Sequence, residues 1–96
     1  MALFVAEHTH PAERCPARNP QMAPALLQLV SPANAAQHGL KIYGDAVTNG
    51  GHHLYLILDG PNVDAVRQYL APFGMAGTLD VRPASHCEAV VSRGGC

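Results

Sequence analysis

Asn49-Gly50-Gly51 is the stretch that most restricts how this chain can fold. It separates two apolar runs, Leu40 to Thr48 and His52 to Asp59, and Asn-Gly followed by Gly is a strong hairpin signal. The two runs are therefore expected as adjacent strands. On the second, side chains alternate faces. His53, Tyr55 and Ile57 share one face, and His52, Leu54, Leu56 and Leu58 share the other. Apolar periodicity and turn residues place the rest. Residues 2–10 read as a first strand and 11–20 as a connection punctuated by Pro11, Pro16 and Pro20. Residues 21–30 read as a helix, with Met22, Leu26, Leu29 and Val30 at i, i+4, i+7, i+8. Ser31-Pro32 starts a further short helical turn that Gly39 ends. Asn62 caps a second helix, Val63 to Phe73. Leu79 to Arg82 forms a fourth strand, residues 86–91 a short additional one, and 91–96 a flexible tail.

At 96 residues the chain is expected to be one domain spanning 1–96. A chain of this size buries roughly 60–65% of its unfolded surface, enough for one modest core. Hydrophobic residues make up 48% and charged residues 14%, which argues against disorder. So low a charged fraction also points to surface covered by a second copy of the chain. The net charge of -1 and the lack of a basic cluster give no footprint for nucleic acid or an anionic membrane. No apolar run approaches the roughly 20 residues that span a bilayer. No basic segment precedes a long apolar stretch, so the expected location is cytoplasmic. There, three cysteines are expected as thiols, ligands or redox groups.

The order β-α-β-β-α-β is the split βαβ pattern of an α+β, ferredoxin-like fold. In element order the chain resembles the ferredoxin-like superfamily of dimeric α+β barrels, and small bacterial metal-binding domains of that fold, some of which bind nickel. The resemblance implies a four-stranded antiparallel sheet with both helices on one face and a homodimer across the other. Strands one and three are expected at the centre, running parallel. Members also include haem-handling enzymes and cofactor-free oxygenases or isomerases, so fold alone selects no activity.

Six histidines stand out in the composition. His8 and His10 share one face of the first strand, and Cys15 follows five residues later in a proline-flanked loop. Imidazole nitrogen and thiolate sulfur suit a transition metal such as zinc, copper, nickel or iron. His8, His10 and Cys15 are therefore the candidate ligands, with His53 as a fourth. The His8/His10 pair is expected on the open face of the sheet, and His53 is preferred over His52 because the leucine face of its strand is expected to meet the helices. With strands one and three parallel, His53 would start its strand far from the end that carries His10, so a partner subunit would have to bring it across. His86 and Cys87 are expected away from this site, and Cys96 is either a free mobile thiol or a redox partner able to reach Cys15 or Cys87. Two other readings stay open. One is a dimeric-barrel enzyme with a small organic ligand and His8 or His10 as acid–base group. The other is a haem-binding or thiol redox module built on Cys15-Pro16.

Overall fold

The computed structural model describes residues 1–96. Its four strands are β1 (Ala2–Thr9), β2 (Lys41–Val47), β3 (His53–Gly60) and β4 (Thr78–Ala84). They form one sheet in the order β2-β3-β1-β4, and every neighbouring pair is antiparallel. The hairpin forms at Asn49-Gly50-Gly51. Gly51 N–H donates to the Thr48 carbonyl, and Gly50 takes φ +76°, the left-handed region that glycine reaches without cost.

The helices are α1 (Met22–Leu29), α2 (Pro32–Gln37), α3 (Val63–Tyr69), α4 (Ala71–Ala76) and α5 (Cys87–Arg93). Local chemistry sets their ends. The Asn19 side chain accepts from the N–H groups of Gln21 and Met22 as α1 begins. Ser31 caps α2 through Asn34 N–H, and Asn62 caps α3 through Ala65 N–H. The expected single helix over Val63–Phe73 divides at Leu70, because Pro72 has no N–H to continue the ladder. No helix is long and apolar enough to cross a membrane.

Two expectations are corrected. Strands β1 and β3 run antiparallel, not parallel, pairing Ala2 with Gly60 and Thr9 with His53. The crossover after β1 returns the chain to start β2 in the same direction as β1, and the hairpin then reverses it into β3. Residues 86–91 are also not a strand. His86 is the N-cap and 87–91 lie in α5, which ends in a Schellman cap: Gly94 is at φ +79°, and Gly95 N–H donates to the Val90 carbonyl.

The core lies between the sheet and the helices. Phe4 and Ala6 of β1, Leu54, Leu56 and Leu58 of β3, and Val81 of β4 meet Ala35, Val66, Tyr69, Leu70 and Phe73. The leucine face of β3 is thus the helix-covered face, as its sequence implies. Because Ala6 pairs with Leu56 and His8 with Leu54, the face of β1 that carries His8 is covered as well. The opposite face keeps Tyr55 and Ile57 exposed.

Candidate metal centre

Three segments converge at one end of the sheet: the end of β1 with His10 beyond it, the connection carrying Cys15, and the residue that precedes β3. Antiparallel pairing brings the last of these into place. His10 N–H donates to the His52 carbonyl at 3.3 Å, one step past the Thr9–His53 pair. Potential ligand atoms of His10, Cys15 and His52 all lie within 4.8 Å of one another.

Cys15 is held between two short 3-10 turns, Ala12–Arg14 and Pro16–Arg18. Its N–H donates to the Ala12 carbonyl and its own carbonyl accepts from Arg18 N–H. Pro16 is buried next to it. The thiol is half-buried and unpaired with any other cysteine.

His8 is the one buried polar side chain of the core, 2% exposed against the Phe73 ring. Its Nδ1 lies 2.8 Å from the Thr78 carbonyl. A carbonyl can only accept, so Nδ1 carries the proton and Nε2 offers a lone pair. His10 Nδ1 sits 3.1 Å from that Nε2 and donates to it. His10 is thereby left with its Nε2 lone pair, 3.2 Å from His52 Nδ1. The three rings form a chain with one direction, from His52 through His10 and His8 to a backbone oxygen. Burial lowers the pKa of His8. Burial, and then the neighbouring His8 and His52 rings, lower that of His10. Both shifts favour the neutral ring, the form that binds metal.

These spacings suit a tetrahedral ion. Two nitrogens at zinc-like bond lengths of 2.0–2.1 Å are separated by about 3.3 Å, close to the observed His10–His52 contact. A sulfur and a nitrogen would stand about 3.6 Å apart, so Cys15 needs a shift of at most about 1.2 Å. Two nitrogens and one sulfur leave a fourth position open. His8, donating to Thr78 and accepting from His10, occupies the place of an outer-sphere partner that orients a ligand.

Gly77 permits this convergence. A Cβ there would lie 2.0 Å from the Thr9 carbonyl and 3.0 Å from His10 Cα. The backbone linking α4 to β4 therefore rests directly on the segment that carries His10.

Of the residues expected at the site, the structure groups His10 and Cys15. It places His8 behind His10 and puts His53 on the opposite face, where His53 Nδ1 is 3.1 Å from Thr9 Oγ1 and 3.7 Å from Glu7 Oε1. The expectation that His8 and His10 look onto the open face is corrected by the burial of His8. His52 becomes the close neighbour of His10. The signal for it is in the sequence: an antiparallel pairing that aligns the start of β3 with the end of β1 puts His52 and the His8/His10 pair on one face. His86 packs edge-on to Tyr43, while Cys87 and Cys96 are exposed. None of these three belongs to the cluster.

No protein-family model matches the chain, and no curated protein matches it. The functional reading therefore rests on the geometry of the chain itself.

Proposed function

We propose that this protein binds a transition metal ion through His10, Cys15 and His52, with His8 fixing the orientation of His10. The observation that carries this reading is the convergence of two imidazoles and a thiol from three separate segments. A borderline metal fits such a donor set, zinc, copper, nickel and iron being the candidates. All three donors come from one chain. The open fourth position would let a bound ion hold water or a small ligand and act as a Lewis acid.

The ferredoxin-like reading, of the dimeric α+β barrel type, is supported by the strand order and the one-sided helix layer. In that reading two copies pair through the uncovered sheet face. There Tyr55 and Ile57 are 37% and 45% exposed, and an Asp80–Arg82 ion pair borders them. The metal cluster lies on the helix side, so pairing would leave its ligand set unchanged.

The test is elemental analysis of protein purified without a histidine tag, with thermal melting as metal is added. One equivalent of metal and a raised melting temperature are expected, and both should be lost in Cys15→Ser. Metal-free protein whose melting temperature ignores all four metals would overturn the reading. A second reading, an acid–base enzyme, draws on the directional His52–His10–His8 chain. It requires turnover to persist in Cys15→Ser, which keeps all three imidazoles.

A further inference from the structure

Helix α1 is amphipathic, yet none of its residues is buried. Leu26 and Leu29 pack, partly buried, against the core, and hydrogen bonds fix its two ends. Asn19 caps its start, and its last carbonyl, that of Leu29, accepts from the Tyr69 hydroxyl and from Asn34 Nδ2 at 3.0 Å. Between those anchors, α1 stands away from α4 and leaves an apolar cavity of about 340 Å³. Ala25, Leu26 and Leu29 line one side, and Pro72 and Phe73 the other. Such a space is within the range of small-molecule pockets.

The cavity shares Met22, Pro72 and Ala76 with an adjoining groove of about 650 Å³. That groove is lined by Cys15, Arg14, Arg18 and Glu13, with Met75 at its edge. Neither arginine has an acidic partner within 4.0 Å; the ion pairs of the chain are His53–Glu7 and Arg82–Asp80. Neither guanidinium takes part in a side-chain hydrogen bond, whereas those of Arg82 and Arg93 do. Two free guanidinium groups against one carboxylate give the mouth an excess positive charge. Guanidinium is also the side chain best shaped to grip a carboxylate with two parallel hydrogen bonds.

We infer that this channel is a binding site for a small amphipathic acid, its apolar body between α1 and α4 and its carboxylate at Arg14 and Arg18. The apolar body covers surface that α1 cannot bury by itself, and the acid group answers the two unpaired cations. The site stands independently of the metal, because neither the cavity nor the arginines belong to the cluster. Cys15 is the point where the two meet. A carboxylate at the mouth would share the groove with the Cys15 thiol.

Titration calorimetry with octanoate, 1-octanol and acetate tests the site, using the full chain in the presence of a chelator so that metal plays no part. Octanoate should bind at one site, about tenfold tighter than 1-octanol, the difference expected of a charge-assisted contact, and acetate should not bind measurably. In Arg14→Gln/Arg18→Gln the preference for the acid should collapse, with 1-octanol binding unchanged. Ala25→Phe, which fills the cavity, should abolish binding of both long-chain probes without lowering the melting temperature. Equal binding of acid and alcohol to the unmodified chain would overturn the assignment of the arginines. No binding of octanoate to folded protein would overturn the site, whatever metal analysis shows. Should Ala25→Phe melt early, the arginine variant, whose changes are on exposed side chains, still decides.

Discussion

Both faces of the sheet carry histidine at the same end, and they do different things. On the helix side His10 lies 3.1 Å from His8 and 3.2 Å from His52, nitrogen to nitrogen. On the open side, one residue out of step, Glu7, Thr9 and His53 form an exposed polar row. The difference is solvation and directionality. His8 has its Nδ1 proton committed to a buried carbonyl, which fixes the tautomer of the next ring and aims a lone pair at His52. His53 has a hydroxyl, a partly exposed carboxylate and water to choose from, so nothing commits it. A histidine pair becomes a candidate metal site when its outer nitrogens are already occupied.

The sharpest way to break the comparison is to remove one histidine from each face. His52→Ala should weaken metal binding by about 100-fold or more, since a three-donor site loses a donor. His53→Ala should change it less than about twofold. Competition titration against a chromophoric chelator reads both. Equal effects would mean that the open face contributes a ligand, and the assignment of the cluster would fail.

The next largest effect belongs to His8. His8→Leu removes the acceptor of the His10 Nδ1 proton and the donor to Thr78, and metal affinity should fall about 10–100-fold. His8→Gln carries one donor and one acceptor and should recover most of the loss. A merely structural histidine would show its effect in melting temperature, with metal affinity indifferent to the choice of Leu or Gln.

Gly77 sharpens the comparison from the backbone side. Gly77→Ala drives a methyl group into the Thr9 carbonyl, where only a backbone shift can relieve it. Strain of this kind costs about 1–3 kcal/mol. Chemical denaturation should register that loss. Because the shift displaces His10 and leaves the solvent-facing row free to adjust, metal affinity should fall as well.

Acid separates the two faces without mutation. The folded-state pKa values of His8 and His10 lie below the ordinary value of 6.5. The unfolded chain therefore binds more protons than the folded one once pH falls through the ordinary histidine range. Stability of the metal-free protein should be constant above about pH 7 and decline as pH drops below 6.5, levelling once the folded-state values are passed. His8→Leu should flatten that decline. Melting curves across this range measure it.

Much of this was legible in the residues. The hairpin at Asn49-Gly50-Gly51, the leucine face of β3, the caps at Ser31 and Asn62, and the nearness of Cys15 to His10 all follow from local chemistry. Two features were not. The direction of β1 relative to β3 depends on counting reversals along the whole path, and the choice of His53 over His52 follows from placing the His8/His10 pair on the open face. The fate of residues 86–91 hinges on Gly94-Gly95, whose cap outweighs the β-branched Val90-Val91 pair. The role of His8 could not be read from spacing at all. Its alternation matches that of an exposed histidine, and only the burial of its strand face and the position of the Thr78 carbonyl distinguish it.

The smallest expected effect is on the open face itself. His53 and Glu7 are 3.7 Å apart, with side chains 47% and 40% exposed. A charged pair so well solvated contributes about 0.2–1 kcal/mol at most, and less as salt is added. A double-mutant cycle with His53→Gln and Glu7→Gln should give a coupling energy near the low end of that range, falling toward zero as salt is added. Metal affinity should not change in any corner of the cycle. A coupling that grows on metal addition would tie the two faces together through the Thr9–His10 backbone. In that case, the separation between a committed histidine chain and a solvated one would be a property of the metal-free state alone.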